Sequence, residues 1–325
     1  MPMNSPYALR NKRVWVAGHR GLVGDALARR LAAEQCEILT VTHVDCDLRH
    51  APAVEAWMTA NRPQAVFVAA ARVGGIYAND SRPADFIYDN LMIAANVIEA
   101  ARRTGVEKLL FLGSTCIYPR LAPQPMHEDT LLTGPLEPTN QWYAIAKIAG
   151  IKLAQACRRQ HGCDFISAMP TNLYGTGDNF DLRSSHVLPA LIAKAYDAVV
   201  RDMPALEIWG SGRPLREFLH ADDCADALVH LIKNYSGEDI VNVGSGQEIA
   251  IADLAKLICG VAGFRGRLVF DTTKPDGTPR KRVDVGRLSA LGWRPHITLE
   301  DGIRETYRWY AEHRRSVRRQ QLEAV

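Results

Sequence analysis

Val14-Trp15-Val16-Ala17-Gly18-His19-Arg20-Gly21-Leu22-Val23-Gly24 lies near the front of the chain, and its reading decides the fold. Val14 to Ala17 is a compact apolar run of strand type. Glycines follow with the spacing G-x-x-G-x-x-G, and a helical pattern then runs to about Ala33. A strand that turns through glycines into a helix is the arrangement that cradles a pyrophosphate. Glycine permits the tight turn and close backbone approach, and the helix N-terminus offers free N–H groups to the anion. The spacing is one residue longer than G-x-G-x-x-G, and glycines alone also describe a plain turn. The position between strand and helix favours the dinucleotide reading for Gly18, His19, Arg20, Gly21, Leu22, Val23 and Gly24.

Outward from this stretch the chain alternates strand and helix. Strands are expected at Ile38–Val41, Ala65–Ala69, Lys108–Leu112 and Phe165–Met169, with helical patterns over 84–103 and 143–158. That alternation predicts an α/β fold, a Rossmann-like doubly wound parallel sheet with helices on both faces. Residues 1–12 read as a loose lead-in, and 119–140, rich in proline, threonine and acids, as a loop over the site.

Beyond Gly175 the composition changes. A polar stretch, 177–185, precedes His186-Val187-Leu188-Pro189, which opens a helix, and Trp209-Gly210-Ser211-Gly212 is a turn. Arg216–His220 leads into a helix ending near Ile232. Val241–Gly244 reads as one more strand and Ala252–Ala262 as one more helix. Lys274–Arg282 is a basic loop. A last helix, 300–319, ends with Arg314, Arg315, Arg318 and Arg319, the solvated end that suits a helix dipole. A chain of 325 residues exceeds the usual size of one core, so two lobes are expected.

Composition excludes several classes. Hydrophobic residues make up 47% and charged residues 23%, as in ordinary globular proteins. A net charge of +3 gives no case for nucleic acid. Seven cysteines without a C-x-x-C pair point away from a disulfide framework or a metal site. No apolar run is long enough to span a membrane and no secretory leader pattern opens the chain, so a cytoplasmic enzyme with no membrane partner is expected.

The chemistry concentrates at Gly113–Pro119 and Tyr143–Lys147. Ser114, Thr115 and Cys116 follow a strand end, the edge at which open α/β sheets bind ligands. Tyr143 and Lys147 share one helix face. A hydroxyl, a phenol, an ammonium and a thiol together suit acid–base work. A second-strand acid about twenty residues after the glycines would bind an NAD ribose. Val41 stands there instead, and Arg20 offers a cation for a 2′-phosphate, which favours NADP.

Longer stretches carry a resemblance: Val73–Ile76, Pro83–Tyr88, Ser114–Pro119, Tyr143–Ile151, Met169–Gly175, Asp178–Phe180, Ser185–Val187 and Lys274–Lys281. Across about residues 13–310 the chain resembles the extended short-chain dehydrogenase/reductase family, and most of all its GDP-sugar epimerase-reductases. The resemblance implies NADPH as cofactor, GDP-4-keto-6-deoxy-D-mannose as substrate, and a homodimer joined through helices 85–103 and 143–158. It implies a reductase triad of Ser114, Tyr143 and Lys147. Cys116 and His186 become the base and acid that epimerise C3 and C5. Leu112, Gly113, Ser114, Thr115, Lys147, Pro170, Thr171, Asn172, Leu173 and His186 join the glycine turn against the cofactor. Lys194, Trp209, Arg216 and Asp276 contact the GDP-sugar. It also implies a discontinuous second domain: 1–175 with 217–245 for the cofactor, 176–216 and 246–325 for the sugar nucleotide. Three departures stand out: Thr115 where the family often has serine, Val41 and His43 where it often has arginines, and Asn140-Gln141-Trp142 before the tyrosine.

Related readings share these residues: a GDP-deoxysugar enzyme acting on a 3,6-dideoxy-4-ketosugar, or an NAD-retaining 4-epimerase; a dinucleotide sensor without activity would typically lack the tyrosine or the lysine, and this chain keeps both. Plain structural roles compete at each position. Cys116 is otherwise a small buried hydrophobe, His186 a helix cap, Lys194 and Arg216 surface charges, and Trp209 core.

Overall fold

The computed structural model describes residues 6–182, 184–274 and 276–323. The chain runs β1 (Arg13–Ala17), α1 (Leu22–Leu31), β2 (Glu37–Leu39), α2 (Ala51–Asn61), β3 (Ala65–Val68), α3 (Ile76–Ser81), α4 (Pro83–Thr104) and β4 (Lys108–Leu112). It continues with α5 (Gln141–His161), β5 (Asp164–Pro170), β6 (Asn172–Tyr174), α6 (Val187–Val200), β7 (Ala205–Trp209), β8 (Leu215–His220), α7 (Ala221–Asn234) and β9 (Val241–Val243). Last come β10 (Glu248–Ala250), α8 (Ile251–Ala262), β11 (Arg267–Asp271), β12 (Arg280–Lys281), α9 (Gly286–Ala290) and α10 (Leu299–Glu323).

Among the described residues, six strands form the main sheet in the order β2-β1-β3-β4-β5-β9, with every pairing parallel. Strands with both faces covered need apolar side chains on both, so β1, β3 and β4 read as continuous apolar runs. One face packs on Trp15, Val66, Leu109, Phe111 and helices α2, α4 and α5. The other packs on Val14, Val16, Phe67, Leu110 and helices α1 and α7. The sheet reverses direction between β1 and β3, which opens a crevice at their C-terminal ends, beside the glycine turn. This is the doubly wound α/β class expected from the alternation.

A third apolar cluster lies apart. Leu188, Leu191 and Ile192 of α6, Ile208 of β7, Phe218 of β8, Leu254 and Ile258 of α8 and Ile303 and Tyr310 of α10 build it. Here β8 pairs with β6, β10 and β12, and β7 with β11. After β8 the chain returns to the main sheet: α7 packs on it and β9 pairs with β5.

Some expected boundaries move. The second strand stops at Leu39, so Val41 lies past it, and helix 143–158 extends to Gln141–His161. The lead-in is anchored from Tyr7 onward: Tyr7 N donates to the Lys233 carbonyl at 2.7 Å, Leu9 is buried, and the Tyr7 hydroxyl reaches Glu107 at 2.9 Å. Residues 1–5 and Pro275 lie outside the described residues, as do the side chains of Arg315, Arg318 and Arg319. Loop 119–140 is tied down as well. Met126 N donates to the Arg282 carbonyl at 2.8 Å, and buried Glu128 accepts from Asn242 N at 3.0 Å.

Glu217 joins the two parts of the molecule. Its carboxylate is wholly buried and accepts from Val283 N (2.8 Å), Gly246 N (2.7 Å) and the Thr171 hydroxyl (3.3 Å). Burial pushes its pKa up and these donors pull it back. No helix among the described residues is long and apolar enough to cross a membrane.

Candidate active site

The glycine turn has the shape of a cradle for close backbone approach. Gly18 has φ +90°, and a Cβ there would lie 2.6 Å from the Ala70 backbone. A Cβ on Gly24 would collide with the Gly18 carbonyl, whereas Gly21 faces ordinary space. Gly18 and Gly24 therefore pack the turn against β3 and α1. Gly21 is the N-cap of α1, and no side chain caps it. The helix start thus presents backbone N–H groups and the positive end of its dipole. His19, Leu22 and Val23 are half-buried within the turn, and Arg20 is exposed. A dinucleotide diphosphate fits this geometry.

At the other side of the crevice, Asp47 makes three contacts of 2.7 to 3.2 Å with the Arg49 guanidinium. These hold its carboxyl well below the usual range. Arg49 and Arg72 both reach Asp89, at 3.2 and 2.8 Å. That network pins the loop after β3 to α4.

β4 ends at Leu112, and the chain behind it is packed too closely for larger residues. A Cβ on Gly113 would strike Met169, and Gly113 N donates to the Ala168 carbonyl at 2.9 Å. Thr115 is buried. Ser114 caps a short helical turn over Thr115–Ile117, its hydroxyl accepting from Cys116 N at 3.2 Å. Burial, then the Cys116 sulfur, push the Tyr143 pKa up, and Ser114 pulls it partly back.

Lys147 sits one turn along α5 from Tyr143, 3% exposed, and donates to the Leu112 carbonyl at 2.7 Å. Its Nζ lies 4.9 Å from the Phe111 ring centroid and 5.8 Å from that of Tyr143. Desolvation lowers its pKa from 10.5 to about 7. Tyr143, its pKa raised chiefly by burial, is held protonated, which is the form that can donate to a ketone oxygen.

Cys116 is half-buried, and its Sγ receives Asn140 Nδ2 at 3.4 Å and Lys281 Nζ at 3.5 Å. His186 is the N-cap of α6 and exposed as a residue. Gly75 N donates to the Ser184 carbonyl at 2.9 Å, which draws the chain just before His186 onto the loop after β3. Desolvation, then the Lys281 ammonium, lower the His186 pKa. Lys281 thus donates to the thiol, and its charge is also felt at the imidazole. Sequence reasoning gave Lys281 no role and named Asn140 only as a departure before the tyrosine. Lys281 is 165 positions from Cys116, and only the pairing of β12 with β8 brings it in.

Farther along the cleft, Trp209 is 58% exposed, which removes the core reading. Lys194 Nζ and Lys274 Nζ lie 5.1 and 5.6 Å from its ring centroid. Lys194 also donates to the Glu207 carbonyl at 3.1 Å, and its pKa is lowered by desolvation, with Glu207 opposing. Arg216 is desolvated but countered by Asp276, whose carboxylate accepts from Ser211 N and Oγ at 2.6 and 2.7 Å. An open aromatic face ringed by cations suits a flat base or sugar joined to phosphates.

Pro170 ends β5, and Leu173 packs on the main core. The side chains of Thr171 and Asn172 are already engaged, with the Glu217 carboxylate at 3.3 Å and the Glu217 carbonyl at 2.8 Å. Asp178 went unnoticed as a titrating group. Burial raises its pKa to about 7, one oxygen accepts from Asn179 N at 2.7 Å, and the other has no partner among the described residues.

Residues 14–244 match the family described as "NAD dependent epimerase/dehydratase family". The chain belongs to that family. The chain is 59% identical to the GDP-L-fucose synthase of Sinorhizobium fredii, over 94% of this chain and 97% of that protein. It is 49% identical to the GDP-L-fucose synthase of Escherichia coli K12, over 94% and 98%. A GDP-L-fucose synthetase from Naegleria fowleri bound to NADP superposes with a TM-score of 0.89 at 31% identity, covering 96% of this chain and 97% of that one. Such full-length agreement places this member of the epimerase/dehydratase family among the GDP-L-fucose synthases.

Proposed function

We propose that the chain converts GDP-4-keto-6-deoxy-D-mannose to GDP-L-fucose, epimerising C3 and C5 and reducing C4 with NADPH. The observation that carries this reading is one cleft holding two kinds of proton chemistry. Ser114 and Cys116 adjoin the Tyr143 phenol, Lys147 sits buried one turn along the same helix, and Lys281 donates to the Cys116 sulfur.

A ketone at C4 acidifies the hydrogens on C3 and C5, because the carbanion becomes an enolate. Inversion needs removal from one face and return to the other, so two groups are required. Thiol and imidazole, with reference pKa values of about 8.5 and 6.5, straddle neutrality. Cys116 removes the proton and His186 returns one, while Ser114 and Tyr143 hold the C4 oxygen as negative charge develops. Tyr143, protonated, then gives that oxygen its proton. Bound NADPH supplies the hydride. Lys147 anchors the nicotinamide ribose from the buried side of the helix. Trp209, Lys194, Arg216 and Asp276 take the GDP end.

In this reading residues 1–175 with 217–245 hold the cofactor, and 176–216 with 246–325 hold the sugar nucleotide. The enzyme works in the cytoplasm as a homodimer. Exposed Tyr88 on α4 and Trp142 and Ile145 on α5 support a helix-mediated contact there. The test is oxidation of NADPH on addition of GDP-4-keto-6-deoxy-D-mannose, with the product resolved by NMR. Steady oxidation yielding GDP-L-fucose supports the reading. Turnover only with a 3,6-dideoxy-4-ketosugar, or no net NADPH consumption, overturns it.

A further inference from the structure

Asparagine is among the best residues for capping a helix through its side chain. Asn140 stands at the N-cap of α5, yet its side chain makes no capping bond. The backbone holds it without one: Asn140 N donates to the Glu137 carbonyl at 3.2 Å, and the Asn140 carbonyl accepts from Ala144 N at 3.0 Å. The amide turns to the thiol instead, with Nδ2 donating to Cys116 Sγ at 3.4 Å. Its Oδ1 is buried and has no partner among the described residues. Lys281 is the other donor to the sulfur, at 3.5 Å. Asn140, Cys116 and Lys281 line the same small cavity, together with Thr115, Glu137 and Thr278.

These two donors differ in chemistry. An amide N–H stabilises negative charge on sulfur and has no proton to give up near neutrality, so it never competes for the proton being moved. An ammonium does compete. A donor that is stronger toward an anion than toward a neutral acceptor also favours the state that must attack. The short Asn side chain, fixed at both backbone ends, restricts where the sulfur can sit.

We propose that Asn140 is the positioning residue of proton abstraction, holding the Cys116 sulfur as an anion aimed at the sugar ring instead of capping its own helix. The proposal rests on the epimerase-reductase reading above. In the step itself the sulfur lone pair takes the proton on the carbon beside the ketone. A C–H bond breaks and an S–H bond forms. The released electron pair moves into the enolate, whose C4 oxygen faces Ser114 and Tyr143.

The experiment compares intact protein, Asn140→Ala and Asn140→Asp, each loaded with NADPH. Asp keeps the size and capping ability of Asn but sets a carboxylate against the sulfur. Three readouts are taken near neutral pH: alkylation of Cys116 by iodoacetamide, followed by peptide mass spectrometry; deuterium uptake at C3 and C5 of the ketosugar; and the thermal midpoint with NADPH affinity. Loss of one bond to a charged group predicts that alkylation and uptake fall roughly ten- to a hundredfold in Asn140→Ala. They fall further in Asn140→Asp. Folding and NADPH affinity hold, and the loss appears in kcat with KM for the ketosugar little changed. Alkylation and uptake within about twofold of the intact protein overturn the proposal, because a deleted charge-assisted bond costs more than that. A fall in uptake matched by equal losses in thermal midpoint and NADPH affinity also overturns it, as a purely structural role. Alkylation reads the thiol without any sugar, so the two ideas fail separately. Intact protein that takes up no deuterium refutes the epimerase reading and the proton-transfer role with it. Normal uptake by intact protein with unchanged alkylation in both variants refutes the role of Asn140 alone.

Discussion

Lys147→Met should make the protein more stable and nearly inactive at once. The lysine is 3% exposed, and desolvation takes its pKa from 10.5 to about 7. A drop of that size is worth roughly 5 kcal/mol against the folded state wherever the side chain is charged in both states. The sign follows from proton counts. Between the folded and unfolded values the unfolded chain binds more protons, so stability rises with pH across that window. The penalty is full below about pH 7 and fades toward the unfolded value. Methionine matches the length of the side chain and carries no charge. It leaves the Leu112 carbonyl without its donor, at a cost of about 1–3 kcal/mol. The balance near pH 7 is a gain of about 2–3 kcal/mol, or roughly 5 °C in midpoint. Denaturant unfolding of both proteins from neutral to alkaline pH is the assay. The intact protein should close the gap as pH rises, and the variant should be flat by comparison. Reduction should fall by about 10²-fold or more. A variant less stable than the parent at neutral pH, with no difference in pH slope, would show that Lys147 is not held under strain.

Tyr143→Phe should lower the reduction rate by about 10²-fold or more, with NADPH affinity nearly unchanged in a fluorescence titration. Near-parental reduction would remove the phenol from the mechanism. Arg20→Ala should erase most of a preference for NADPH over NADH of about ten- to a hundredfold, the weight of one charge-assisted contact. Equal use of both cofactors by the intact protein would show that Arg20 does not read the 2′-phosphate. Asp178→Asn should stabilise the protein above about pH 7 by up to about 4 kcal/mol, since the folded state holds the Asp178 proton up to about pH 7 and the unfolded state does not. Below the unfolded value of 3.8 the gain should vanish, and equal effects at both ends in thermal scans would contradict the assignment.

How far the sequence carried depends on the range of the interaction. The glycine turn and the Tyr143–Lys147 face are local, set by turn geometry and helical period, and both were legible. So was the alternation behind the doubly wound sheet. The surroundings of Cys116 were only half legible. Ser114 is two residues away, but Lys281 arrives on a two-residue strand in a basic loop, too short and polar for any periodic signal. Asn140 could be named only as an unusual neighbour of the tyrosine, because asparagine before a helix reads as a cap. Glu217 joins residues from three other segments around its carboxylate, a contact that no window of sequence contains. The burial that moves the Tyr143 and Lys147 pKa values was not legible, because charge is visible in sequence and desolvation is not.

The central claim is that one cleft first moves protons at C3 and C5 and then reduces C4. Its most direct test is deuterium uptake from heavy water into GDP-4-keto-6-deoxy-D-mannose without NADPH, by mass spectrometry, for the intact protein, Cys116→Ala and His186→Asn. The intact protein should label C3 and C5, and on addition of NADPH should give product of inverted configuration by NMR. Cys116→Ala should abolish labelling while slow reduction of the unepimerised ketone persists through Ser114, Tyr143 and Lys147. His186→Asn should keep a reduced rate of exchange, because proton removal survives without return on the opposite face. Full deuterium uptake and normal product from Cys116→Ala would contradict the account and leave Cys116 a buried thiol with no part in the chemistry.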